Sequence, residues 1–189
     1  MTVSPPLSSQ HSPLSRAALN GESARVTELL GLGAAPGGAY LNPNVGSTGG
    51  PFGMFASLSP LAYASNNSHT EVVAALLKAG ADPNAGMTAG PYGVFGSVSP
   101  LYDASRHGHS TVVTSLLKAG ADPNVGISAT LASESPLYVA SLYGHTEVVA
   151  DLLKAGADPN KGSSLLFQAI LVVVVVVVGG GVNRELLIV

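Results

Sequence analysis

One nonapeptide, LLKAGADPN, occurs three times, at 76–84, 116–124 and 152–160, and it limits what this chain can fold into more than any other feature. A tripeptide, SPL, stands before each copy, at 59–61, 99–101 and 135–137. From Pro60 to Asp82, from Pro100 to Asp122 and from Pro136 to Asp158 the separation is 22 residues each time. A fainter copy runs from Pro13 to Ala35, again over 22 residues. The joints between these blocks span 25, 18 and 14 residues. A block of fixed length with variable joints reads as one packed unit joined by tolerant loops.

Each block has the signals of two short helices. Ser59, Ser99 and Ser135 are placed to accept hydrogen bonds from free helix N–H groups, and the following proline suits the first helical position. About two turns of small and apolar residues follow, as in PLAYAS and PLYVAS. The chain then breaks at NNSHT, RHGHS or LYGHT. Thr70, Ser110 and Thr146 read as N-caps of a second helix. That helix carries paired apolar residues, Val72–Val73 and Leu76–Leu77 in the second block, spaced to keep one face dry. Gly80, Gly120 and Gly156 stand where a left-handed residue ends a helix, and Asp-Pro-Asn turns the chain outward. Neither helix buries its apolar face alone. Stacking the blocks side by side does, which predicts an elongated solenoid.

Composition excludes several functions. Eight Lys and Arg residues are spread along 189 residues with a net charge of −3. Nucleic-acid binding needs them clustered. There is no cysteine, hence no disulfide, thiolate metal site or cysteine nucleophile, which fits a reducing compartment and a cytoplasmic location. The first twelve residues, MTVSPPLSSQHS, lack the basic start and apolar run of a secretory signal. Residues 1–11 read as a flexible polar tail. No G-x-S-x-G, H-E-x-x-H or Walker A sequence is present. GSTGGPFG has the composition of a phosphate loop but lacks its lysine. No enzyme activity, cofactor, metal or small-molecule substrate is expected.

The blocks resemble ankyrin repeats. SPLYVASLYGHTEVVADLLKAGAD at 135–158 is close to the family pattern T-P-L-H-x-A-A-x-x-G-H-x-x-V-V-x-x-L-L-x-x-G-A-D, and 99–122 and 59–82 match almost as well. The copy at 12–35 is weaker and terminal in type. The resemblance implies an all-α solenoid of helix-turn-helix units with β-hairpin-like fingers. Repeats fall at about 12–44, 59–84, 99–124 and 135–160 within a domain over 12–163, and fingers at 45–58, 85–98 and 125–134. Two departures stand out. The family's histidine after Pro-Leu is replaced by Ser15, Ala62, Tyr102 and Tyr138, which removes a usual tie between repeats unless the tyrosines pack in its stead. Asp103 sits where an apolar residue is usual, so it must find a partner or weaken the third repeat. The period departs too: 47, 40 and 36 residues against about 33 for the family, with all the excess in the fingers.

The resemblance also implies a scaffold or adaptor, expected as a monomer, that binds a partner protein through its fingers and the concave face of its first helices. Tyr40, Phe52, Phe55, Tyr92 and Phe95, five of the chain's ten aromatics, lie in the joints. Phe52, Phe55, Tyr92 and Phe95 are either binding anchors or a ladder in which Phe52 packs on Tyr92 and Phe55 on Phe95. At the ends of the first helices Asn66 and Asn67, Arg106 and His107, and Leu142 and Tyr143 differ among blocks while the framework stays fixed, as positions facing a partner do. His69, His109 and His145 recur once per repeat. A zinc ion needs its ligands about 2.0–2.1 Å away, and neighbouring repeats hold these rings too far apart, so they read as structural loop histidines.

The segment LLFQAILVVVVVVVGGGV at 165–182 has three readings. Residues 164–170 begin a fifth, capping helix with Ser164 as its cap. Or the run crosses a bilayer, close to the 20 or so apolar residues that requires, and anchors the adaptor to a membrane. Or it is translated low-complexity sequence without a selected role. A further alternative is that the array is the recognition fragment of a larger enzyme or channel.

Overall fold

The computed structural model describes residues 12–32, 43–44, 57–88, 97–128 and 133–161. Four helical pairs follow one another: α1 (Pro13–Asn20) and α2 (Ser23–Leu32), α3 (Pro60–Asn66) and α4 (Thr70–Lys78), α5 (Pro100–Arg106) and α6 (Ser110–Lys118), α7 (Pro136–Leu142) and α8 (Thr146–Lys154). Between them lie two-residue strands: β1 (Ser57–Leu58), β2 (Met87–Thr88), β3 (Ser97–Val98), β4 (Ile127–Ser128) and β5 (Ser133–Glu134). First helices pack on first helices and second on second, and each first helix packs on its own second helix. This is the expected solenoid.

Each first helix starts on a serine that bonds twice. The hydroxyls of Ser12, Ser59, Ser99 and Ser135 accept from the backbone N–H groups of Ser15, Ala62, Tyr102 and Tyr138, each at 3.1 Å. Those of Ser59, Ser99 and Ser135 also donate, at 2.5 Å, to the carbonyls of Ala85, Val125 and Lys161. The cap is therefore a clasp as well: it joins the start of a repeat to the chain leaving it 26 residues later.

The second helices start differently from the sequence expectation. Thr70, Ser110 and Thr146 are the first helical residues, not the caps. The cap positions belong to His69, His109 and His145, whose side chains make no cap bond. The reason is geometric: the residue before each histidine has positive φ (Ser68 59°, Gly108 71°, Gly144 74°). That turn sets the histidine at the cap and, as shown below, sends its ring to the neighbouring repeat. The helix ends match expectation. Gly80, Gly120 and Gly156 have φ of 84°, 91° and 86°, and the next residue's N–H returns to the carbonyl of Leu76, Leu116 or Leu152 at 3.0 Å, closing a Schellman motif.

The core runs the length of the described stack as two columns. Leu14, Leu61, Leu101 and Leu137 line the first helices, and Val26, Val72, Val112 and Val148 with Leu29, Leu76, Leu116 and Leu152 line the second, all buried. Burying one such side chain contributes about 1.5–3 kcal/mol. Ala17, Ala64, Ala104 and Ala140 are buried as well; their small side chains let the first helices approach closely.

The finger bases form one antiparallel sheet in the order β1-β2-β3-β4-β5. β2 pairs with β3 and β4 with β5 inside single fingers, while β1 pairs with β2 and β3 with β4 across adjacent fingers. The hairpin expectation holds, and the fingers lie side by side through their backbones. The crossing is tight. A Cβ on Gly86 would lie 1.6 Å from the Val98 carbonyl oxygen, and one on Gly126 1.8 Å from that of Glu134. The finger tips, with Phe52, Phe55, Tyr92 and Phe95, and the valine-rich segment lie outside the described residues. Among the described residues no helix is long and apolar enough to cross a membrane.

Candidate functional site

Two ladders of polar bonds hold the repeats in register and position the surface beside them. In the first, each loop histidine reaches the preceding repeat: Nε2 of His69, His109 and His145 bonds to the carbonyls of Leu19, Asn66 and Arg106 at 3.0, 3.1 and 3.0 Å. A carbonyl only accepts, so each Nε2 carries the proton. In the second, Asn44, Asn84 and Asn124 accept through Oδ1 from the backbone N–H of Asp82, Asp122 and Asp158 at 2.7, 2.9 and 2.7 Å. The histidines thus hold the stack together, one ring per interface. Among the described residues no group of three or more His, Cys, Asp or Glu is placed to hold a metal ion.

The missing family histidine is replaced in part by Tyr102. Its ring is 2% exposed and its hydroxyl donates to Glu134 at the base of the next finger. Burial, followed by the bond to Glu134, pushes the phenol well above its usual range. This tie between the third and fourth repeats combines packing with a charge-assisted bond.

Asp103 is the costly departure. It lies on α5 between the helices that carry Tyr63 and Val139 at the equivalent positions. Burial pushes its carboxyl up to about 6, opposed by His107 and Arg106. Neither side chain comes close enough for an ion pair; among the described residues the ion pairs are Arg25–Glu28 at 2.7 Å and Lys154–Asp151 at 3.7 Å. Burial also lowers the pKa of His109, with His107 and His145 adding to the effect against the bond to Asn66.

The variable residues at the first-helix ends come together as one exposed strip. Asn66 and Asn67 are exposed; the Asn67 side-chain amide donates to the Tyr63 carbonyl at 2.8 Å, so that side chain closes its own helix. Arg106 and His107 are exposed. The Nδ1–H of His107 donates to the Asp103 carbonyl at 2.9 Å, and its ring stacks on His109 with centroids 5.7 Å apart. Tyr143 stacks on His145 at 6.3 Å, the same His145 that bonds the Arg106 carbonyl. One imidazole therefore links the backbone of Arg106 to the ring of Tyr143. Leu142 is 48% exposed and Tyr143 52%. Val125, 39% exposed at the start of the last described finger, is the other large exposed hydrophobic among the described residues; the sequence reading missed it because its equivalent, Ala85, is small.

On the opposite side, α6 and α8 enclose a shallow groove lined by Thr114, Leu117, Lys118, Asp151, Lys154 and Ala155. Its polar groups serve one another: the Thr114 hydroxyl donates to Asp151 at 3.0 Å, and Lys154 pairs with the same carboxylate.

Comparison with known proteins agrees with this geometry. A family model described as ankyrin repeats (3 copies) matches residues 14–127 and 97–163. No curated protein matches the chain.

Proposed function

The chain belongs to the ankyrin-repeat family, whose repeats generally mediate protein–protein interaction, and on that premise we propose that it is a scaffold that docks a partner protein along the ends of its first helices. The observation that carries this reading is a contrast in burial. At framework positions the repeats are alike and buried, as Leu61, Leu101 and Leu137 are. At the helix ends they differ and are exposed, and the fourth repeat offers Leu142 and Tyr143 to solvent. Large apolar side chains held rigidly at a surface are what interface anchors require. The tyrosine is held by its histidine, so little ordering entropy is lost when a partner covers it. The aromatic fingers, with Phe52, Phe55, Tyr92 and Phe95, belong to the same proposal as a second contact area.

Partner capture with the full chain tests it. The chain is run beside Leu142→Ser/Tyr143→Ser and Phe55→Ser/Phe95→Ser double variants of equal melting temperature. A specific partner lost only with the first pair places docking at the helix ends, and one lost only with the second places it on the fingers. A partner retained by both variants refutes both surfaces.

A further inference from the structure

The helix-end strip is not uniformly apolar, and its polar half points to a kind of partner. Arg106 is exposed, and its guanidinium makes no hydrogen bond or ion pair among the described residues. Beside it, the Nδ1–H of His107 donates to the Asp103 carbonyl, which leaves Nε2, in the neutral ring, to accept from another group's N–H or O–H. The nearest carboxylate on the same helix, Asp103, sits half-buried one turn back and does not pair with Arg106. His145, bonded to the backbone carbonyl of Arg106 and stacked on Tyr143, joins the end of the helix that carries Arg106 to the ring of Tyr143. A fork of five N–H donors with no acceptor suits a carboxylate, and the neighbouring leucine and tyrosine suit an apolar side chain.

Resting on the docking function above, we propose that Arg106, His107, Leu142 and Tyr143 form an acceptor for an acidic–apolar segment of the partner protein. An Asp or Glu of that segment pairs with Arg106, and Nε2 of His107 accepts from an N–H of the segment beside it. A Leu or aromatic residue a few positions away covers Leu142 and Tyr143. The charge that favours it is local, because the eight Lys and Arg residues are spread along a chain whose net charge is −3.

The experiment uses the full chain and an array of twelve-residue peptides. In one set a Glu or Asp stands one to four residues from a Leu or Phe; the matched set carries Gln or Asn instead. The tightest binders are then titrated by fluorescence polarisation. The expected result is that acidic peptides bind about tenfold more tightly than their amide twins, as a charge-assisted pair implies. The difference shrinks in high salt. It vanishes in Arg106→Gln, while Tyr143→Ser weakens both sets equally. Both substitutions are at exposed positions and leave the fold intact, which the melting temperature checks. If peptides bind in a Tyr143-dependent way with no preference for acid, the docking surface stands and the acidic-segment inference is overturned. If Arg106→Gln retains the full acid preference, the inference is overturned as well. If neither set binds, both the inference and the helix-end docking surface are refuted.

Discussion

Two buried hydroxyls give the sharpest test of the packing. Ser65 and Ser105 occupy the same position on α3 and α5, each 0% exposed, and neither hydroxyl has a hydrogen-bond partner. The equivalent Ser141 on α7 donates to the Leu137 carbonyl at 2.8 Å, and α1 carries Ala18 there. A buried hydroxyl without a partner costs about 1–3 kcal/mol, and alanine is a better helix former by up to about 0.7 kcal/mol. The void left by one oxygen takes back a few tenths of a kcal/mol. Ser65→Ala and Ser105→Ala are therefore each expected to stabilise the chain by about 1–2 kcal/mol, or about 2–8 °C in melting temperature for a protein of this size. Ser141→Ala, which gives up a real bond, is expected to change stability by less than about 0.5 kcal/mol. Urea unfolding followed by circular dichroism compares the three. If Ser65→Ala and Ser105→Ala stabilise no more than Ser141→Ala, their hydroxyls have partners in solution and the reasoning is refuted.

Asp103 makes stability depend on pH with a definite sign. Its folded pKa of about 6 lies above the ordinary 3.8, so the folded state binds more protons between those values and stability falls as pH rises through that window. Asp103→Asn is expected to flatten this slope and add up to about 3 kcal/mol at pH 7; denaturant titrations of both proteins at pH 4.5 and 7 measure it. His109 acts oppositely: its pKa is lowered by burial, so its contribution is lost as pH falls below about 6.5, and His109→Gln is expected to reduce the acid sensitivity left in Asp103→Asn. Ser99→Ala removes both the cap on Tyr102 N–H and the bond to the Val125 carbonyl, for an expected loss of about 2 kcal/mol; a smaller loss in Ser99→Thr, which keeps the hydroxyl, separates bonding from packing. Gly126→Ala drives a methyl into the Glu134 carbonyl and is expected to separate β4 from β5, read as faster amide exchange at Ile127 and Glu134 than in the parent protein.

The sequence by itself determined the repeat, its length, where the first helices begin and where the second helices end. Serine-proline starts and glycine ends are local signals: a cap bonds within three residues and a left-handed turn concerns one φ angle, so both are written where they act. It also determined the dry faces, because apolar spacing on a short helix leaves a single way to bury them. The second-helix caps show the limit of local reading. Thr70, Ser110 and Thr146 looked like caps by residue type, yet the cap position went to histidines whose bonds reach another repeat, 39 to 50 residues away. Only stacking creates that partner. The same holds for Tyr102, whose hydroxyl finds Glu134 across an interface, and for Asp103, whose raised pKa comes from neighbouring helices closing over it. Of the candidate site, the positions that vary were legible in the sequence; only the tertiary structure decided that His145 joins the Arg106 backbone to the Tyr143 ring. Side-chain bonds between repeats depend on how far and at what angle one helix pair lies on the next, and that offset is a property of the packed stack that no single repeat encodes.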